Sequence, residues 1–243
     1  KIDARWGKKF RQFTEAYAFA CHGLSLNIGG IAPLDEAFLR RLKQFLWEHQ
    51  IQIYSEHLSY CGDEGHLYDL MPIPFTQQAV AYVSERIQRV QDILGQRLVI
   101  ENVSYYAAPG QEMSEIDFIC EVLHQADCEL LLDVNNIYVN SINHQYDALS
   151  FMKALPAERI RYMHIAGHYK EAEDLRVDTH GADVVDPVWD LLDKTYQHFG
   201  VYPTLLERDF NIPPLHELLL EVEKIQQYQR KHQDAKITSY GSA

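Results

Sequence analysis

Cysteine is scarce and unpatterned. Cys21, Cys61, Cys120 and Cys128 form no CxxC pair and lack the spacing of a small secreted domain, so neither a zinc ribbon nor a disulfide framework is indicated. Such thiols suit a reducing cytoplasm, which is the expected location. No apolar run approaches the roughly 18 to 20 residues of a membrane span. The first ten residues have neither a signal-peptide core nor an initiator methionine. Basic residues are in deficit: 22 Lys and Arg stand against 35 Asp and Glu, a formal net charge of −13. That field repels phosphate backbones, argues against a nucleic-acid partner and favours cations. Gly/Ser linkers, low-complexity tracts and short repeats are absent too, so a single domain over residues 1–243 is expected.

What is present is a globular composition, 47% hydrophobic and 23% charged over 243 residues, with a regular alternation of short β-rich runs and longer segments of helical periodicity. The strand candidates are residues 19–26, 51–58, 97–102, 129–134, 159–165 and 202–207. Strands alternating with helices imply a parallel sheet. Leu34, Phe38, Leu42, Phe45 and Leu46 define a helix face beginning near Asp35, and Thr76 starts another with Val80, Val83, Ile87, Val90 and Leu94 inward. Ser114 and Asp117 have capping-box-like spacing before Phe118, while Leu215, Leu218, Leu219, Val222 and Ile225 mark a last helix. The polar segment 226–243 is expected to fray. Six parallel strands leave an edge that eight would close. The expected fold is therefore an α/β TIM (β/α) barrel showing six of eight strands, with two N-terminal strands outside this sequence; an open doubly wound sheet is the alternative.

Each of the six strands carries a histidine or carboxylate in or beside its last turn: His22, His57, Glu101, Asp133, His164 and Glu207. Taken singly, a histidine near a strand end is more often a satisfied structural residue than a ligand. Recurrence at every strand end points instead to a shared ion. The C-terminal strand ends of a parallel barrel converge on one mouth, and clustered carboxylates there need a cation. Asp178 and His180 in RVDTHG could reach inward from a loop whose Gly181 permits a tight turn. Asn136 lies just beyond Asp133 and could offer an amide oxygen. Asn102 and Arg208 flank ligand candidates and suit roles orienting or neutralising carboxylates, and His168 suits a substrate-facing or supporting role. Tyr105 and Tyr106 could line the mouth, with packing the more natural role for at least one. Cys21 should face away from His22 into the core; His66, His144 and His198 read as ordinary surface residues. Imidazole and carboxylate donors without thiolate suit iron, manganese or zinc. Nine candidate ligands at roughly four to six per ion accommodate two or three metals.

The motifs HGLSL, SEHLSY, DLMPIPFT, ENVSYY, LLLDVNNIYVNSINH, HIAGH, DTHG and LLERDFNIP resemble, in this order, those of the former domain-of-unknown-function 692 family. These are the multinuclear non-haem iron-dependent oxidative enzymes, a family that includes the oxidase of methanobactin biosynthesis. The resemblance covers residues 15–225 and implies a xylose-isomerase-like TIM barrel holding two or three irons. Carried over by motif, it implies His22, His57, Glu101, Asp133, Asn136, His164, Asp178, His180 and Glu207 as metal ligands, with His57, Glu101, Asp133, His164 and Glu207 central to catalysis. The front of the family pattern, usually opening with a GAGLG-like run, has no counterpart here.

The activity implied is O2-dependent oxidation of cysteine residues in a ribosomally made precursor peptide. A peptide-recruiting partner protein is also implied, and the motif style is nearest to members paired with copper-stress-associated peptides. A thiolate would bind a metal directly, and binding a leader segment would offset the cost of ordering the peptide. Two rival readings are a non-redox divalent-metal TIM-barrel enzyme, of the sugar isomerase or endonuclease type, and a non-catalytic metal-binding or sensing protein.

Overall fold

The computed structural model describes residues 4–62 and 65–240. Its elements are α1 (Ala4–Ala16), β1 (Ala20–His22), α2 (Glu36–Glu48), β2 (Ile53–His57), β3 (Tyr60–Gly62), β4 (His66–Met71), α3 (Gln77–Leu94), β5 (Val99–Glu101), α4 (Glu115–Ala126), β6 (Glu129–Asp133), α5 (Val134–Asn143), α6 (Ala148–Ala154), β7 (Ile160–Ala166), β8 (Tyr169–Ala172), β9 (Leu175–Val177), α7 (Asp186–Phe199), β10 (Thr204–Glu207) and α8 (Leu215–Tyr240). Each of the six strand candidates is present; five are shorter than expected, and β7 keeps its length but is shifted by one residue. The chain forms two compact units, Lys1–Glu101 with Ala108–Glu129, and Asn102–Ala107 with Leu130–Ala243.

In the first unit β1, β2 and β5 pair in parallel, with His22 opposite Ser55 and His57 opposite Glu101. Helix α2 starts where the Asp35 side chain accepts the Phe38 N–H, and α3 where Thr76 accepts that of Ala79. These caps satisfy backbone donors that the first helical turn leaves open. Gly95, at φ 77, ends α3 in the left-handed region and returns its N–H to Gln91. The inward row Val80, Val83, Ile87 and Val90 is fully buried, as are Val122 and Leu123 of the neighbouring α4. Each such side chain stabilises the fold by about 1.5 to 3 kcal/mol relative to exposure.

In the second unit β6, β7 and β10 pair in parallel, aligning Asp133 with His164 and His164 with Leu205. Leu130, Leu131 and Leu132 are all buried, as expected of a parallel strand covered on both faces. Asp133 ends β6 and also caps α5, its side chain accepting the Asn136 N–H. Helix α7 opens with a proline in its first turn and buries Val188, Trp189, Leu192 and Tyr196.

Three features differ from the sequence reading. Two antiparallel hairpins, β3–β4 and β8–β9, occupy segments for which no strand was expected; their strands are too short and mixed to show a period. The segment expected to fray from Gln226 continues as α8 to Tyr240, because its glutamines, lysines and arginine are strong helix formers and no glycine intervenes before Gly241. Finally, the left-handed residue of the DTHG loop is His180, at φ 47, with Gly181 not among the positive-φ glycines. Among the described residues no helix is long and apolar enough to cross a membrane.

Candidate metal centre

In the first unit three side chains from adjacent strand ends meet. His22 Nε2 lies 3.2 Å from His57 Nε2 and 3.0 Å from Glu101 Oε2, which is 3.4 Å from His57 Nε2. Ligands about 2.1 Å from one ion lie about 3.0 to 3.4 Å apart in octahedral or tetrahedral geometry, so this triangle has the edges of a coordination site. His22 Nδ1 meets Ser55 Oγ at 2.7 Å, which fixes the ring through its other nitrogen.

The opposite face of β1 and β2 carries a second buried network. Glu56 is buried and accepts a 2.5 Å hydrogen bond from Tyr54 Oη, as well as backbone hydrogen bonds from Ser25 and Leu26. Burial raises the Glu56 carboxyl above its ordinary range, against the lowering effect of the Tyr54 hydroxyl and His22. Burial, then the nearby Glu56 charge, also raises the Tyr54 phenol and the Cys21 thiol. Gly23 belongs to this network, because a Cβ there would collide with the Glu56 carboxylate and the Tyr54 hydroxyl. The HGLSL glycine therefore lets the loop after His22 close onto β2. Glu56 did not stand out in sequence; its one signal was adjacency to His57.

In the second unit Asp133, His164 and Glu207 bring donor atoms within 4.8 Å of one another, and His180, Glu207 and Asp209 do the same. Glu207 Oε2 is 2.8 Å from His164 Nδ1 and 3.5 Å from His180 Nδ1. Asp178 Oδ1 lies 2.8 Å from His180 Nε2, and Asp209 Oδ2 lies 3.2 Å from His180 Nδ1. Burial opposes charging of His180, yet hydrogen bonds to Asp178 and Asp209, with the fields of Asp178 and Asp133, push its pKa up to about 12. A proton there does for these carboxylates what a metal cation would do. Asp209 was absent from the sequence candidates, since it follows the strand end by two residues and only the fold sets it against His180.

The supporting residues are placed as follows. Asn102 brackets Asp133: its Nδ2 donates to the Asp133 carbonyl at 3.0 Å and its Oδ1 accepts the Asp133 N–H at 2.9 Å. Asn136 donates its Nδ2 to the Asn102 carbonyl at 3.1 Å, so Oδ1 is the atom it could offer a cation. His168 is buried, with Nδ1 2.8 Å from Asn135 Oδ1. Asn135 in turn donates to Asp178 Oδ1 at 3.0 Å, and Ser104 donates to Asp178 Oδ2 at 3.0 Å. Burial, then Arg176, depresses the His168 pKa to about 4 despite Asp178. Arg208 turns away from Glu207 toward Asp183 at 2.8 Å and Glu221 at 3.0 Å, so it fastens loop to helix. Tyr105 is buried against His144 with ring centroids 4.0 Å apart, whereas the exposed Tyr106 accepts the Asp178 N–H at 3.0 Å. Gly167 of HIAGH has no room for a side chain, since a Cβ would strike the Ala182 and Asp183 carbonyls.

Comparison with known proteins gives the family and the fold. A family model described as RiPP precursor modification enzyme MbnB/TglH/ChrH matches residues 1–230. A UPF0276 protein of Shewanella loihica is 64% identical over 230 residues, covering 95% of this chain and 83% of the relative. Another, from Pseudomonas aeruginosa, is 52% identical over 240 residues, covering 99% and 84%. Among solved structures, a xylose isomerase domain protein from Planctomyces limnophilus aligns with TM-score 0.61 at 13% identity, covering 95% of this chain and 85% of that one. Endonuclease IV from Thermus thermophilus aligns with TM-score 0.59 at 13% identity, covering 95% and 84%. At such identities the likeness concerns fold alone: an α/β fold of the xylose-isomerase-like TIM-barrel kind.

Proposed function

We propose, because the chain belongs to the family of RiPP precursor modification enzymes MbnB/TglH/ChrH, that it is an iron-dependent, O2-using oxidase acting on cysteine residues of a ribosomally made peptide. The observation that carries the reading is the donor triangle of His22, His57 and Glu101, whose 3.0 to 3.4 Å edges suit a common ion. The donor chemistry fits: imidazole and carboxylate with no thiolate suit iron, so a substrate sulfur would be the one soft donor at the centre. His22, His57 and Glu101 would hold one ion. Asp133, His164, Glu207, Asp178 and His180, with Asn136 through Oδ1, would hold the others, giving two or three in all.

Iron, when bound, supplies the redox chemistry by which O2 is reduced as the cysteine is oxidised. The chain's own residues do the rest. Ser55 holds the His22 ring through Nδ1, and Asn102 holds the backbone of Asp133. Asp209 accepts the Nδ1 proton of His180 and leaves Nε2 as the ligand nitrogen. Such outer partners fix ring orientation and raise ligand basicity, and a fixed donor set keeps the reacting sulfur in one geometry. The peptide, disordered when free, would be brought by a recruiting partner protein, and the chain would work in the cytoplasm without nucleic acid.

The test is anaerobic loading with ferrous iron, followed by exposure to O2 in the presence of a cysteine peptide and a candidate partner. The expected result is O2 consumption coupled to a mass change on the peptide, lost when zinc replaces iron. Full turnover with zinc alone would reassign the chain to non-redox metal chemistry, and iron loading without any peptide change would assign it to metal sensing.

A further inference from the structure

Beside His180 the second unit contains a cavity of about 580 Å³ lined by Tyr169, Thr179, Gly181, Ala182, Phe210 and Asn211. Nothing in the metal-holding role uses it. Its walls are largely apolar, and two of them are aromatic rings in water: Tyr169 is 55% exposed and Phe210 66%. Its frame is the same pair of loops that carries the ligand candidates. Thr179 and Gly181 flank His180, and Phe210 follows Asp209. The loops are fastened together: the Asp209 N–H donates to the His180 carbonyl at 2.9 Å, and Asn211 Nδ2 donates to the Gly181 carbonyl at 3.0 Å. Gly181 sets how far they close, since a Cβ there would already be 3.1 Å from Phe210 Cβ.

We infer that this cavity is a side-chain subsite that takes an aromatic or branched aliphatic residue of the peptide immediately beside the reacting cysteine. The inference rests on the peptide-oxidase reading for its choice of occupant. Consecutive residues of an extended peptide advance about 3.3 to 3.6 Å each, so a cysteine held at the His180 cluster puts its neighbour at the cavity mouth. The volume is within the range of small-ligand pockets and exceeds one side chain, leaving room for the adjoining backbone. Charge selects as well. The Asp209 carboxylate, 56% exposed, stands next to the aromatic wall and disfavours an acidic occupant, whereas apolar faces gain from covering Tyr169 and Phe210. Because one pair of loops frames both features, filling the cavity also fixes the distance from the peptide backbone to the ligand cluster.

The probes are capped hexapeptides Gly-Gly-Ser-X-Gly-Gly and Gly-Gly-X-Ser-Gly-Gly with X as Phe, Gly or Glu, in which serine makes binding independent of sulfur. Titrated into iron-loaded protein under nitrogen and followed by ligand-observed NMR, one Phe peptide should bind about tenfold or more tightly than its Gly counterpart, and Glu more weakly than Gly. In Phe210→Ala, and separately in Tyr169→Ala, the Phe advantage should shrink to about twofold with metal content unchanged. Equal affinity for Phe and Gly on both sides, or a Phe preference untouched by both variants, would overturn the subsite. Cysteine versions of the same peptides separate the two ideas. Oxidation without a Phe preference removes the subsite and keeps the oxidase, whereas a Phe210-dependent preference without oxidation removes the oxidase and keeps a peptide-binding cavity.

Discussion

Asp209→Asn isolates what one carboxylate does for His180. The substitution keeps shape and the backbone hydrogen bond from Asp209 to the His180 carbonyl, so the loop should hold its course. It removes the negative acceptor 3.2 Å from Nδ1. Loss of such an outer partner weakens metal binding by about 10- to 100-fold. Two features place the effect toward the lower end: Asp209 is 56% exposed, so water screens its charge, and Glu207 Oε2, 3.5 Å from the same nitrogen, can take over part of the hydrogen bond. The expected loss is about 10- to 30-fold, or about 1.4 to 2 kcal/mol. Competition between protein and a chelator for ferrous or zinc ion measures it, with circular dichroism to show an intact fold. The metal-free protein offers an independent reading: ¹⁵N shifts of the His180 ring should show the imidazolium titrating at lower pH in the variant, since one of its stabilising carboxylates is gone. A loss below about threefold, with an unmoved His180 titration, would refute the assignment of Asp209 as the acceptor that orients this ring.

Other perturbations separate structural from metal-holding roles. Gly23→Ala should destabilise the protein by about 2 to 4 kcal/mol in chemical denaturation and displace His22, because the added methyl meets the buried Glu56–Tyr54 pair; a stability within error of the parent would contradict the close approach. Asn102→Ala strips a buried partner from both the N–H and the carbonyl of Asp133, and should cost about 2 to 3 kcal/mol together with part of the metal content, both measurable on one preparation. His168 gives a pH signature. Its folded pKa, about 4, lies below the ordinary 6.5, so its contribution is complete above pH 6.5 and is lost as pH falls toward 4. Metal-free protein should therefore lose up to about 3 kcal/mol across that window from this group. In His168→Gln the decline should be shallower by that amount; identical pH profiles would show that His168 does not carry it.

The strands were legible because parallel-sheet strands are short apolar runs and β6, with Leu130, Leu131 and Leu132 all buried, is an unmistakable one. The helix starts were legible because Asp35, Thr76 and Ser114 are caps whose chemistry is local. The hairpins were not, since β8 and β9 are only three or four residues long and β8 is exposed along its whole length, and pairing is decided by the loop's ends. At the site, the triangle of His22, His57 and Glu101 could be anticipated from strand-end position. Asp209 and Asn135 could not: each depends on a contact across 29 or 43 residues of chain, to His180 and Asp178 respectively. Glycines were half legible. Gly181 invited a turn argument, while its actual constraint, like those of Gly23 and Gly167, is the nearness of another segment.

One carboxylate reaches toward two imidazoles, one on strand β7 and one on a loop: Glu207 stands at both the His164 and the His180 groupings. Under the proposed metal-holding role Glu207 would serve one position with His164 and would also face Nδ1 of the His180 ring whose Nε2 serves the other, so filling either position would help order the next. Titrating iron into the protein at half-saturation should then yield chiefly empty and doubly loaded molecules, with few in between. Native mass spectrometry would display that partition directly, whereas independent loading of two equal positions would leave about half of the molecules singly loaded.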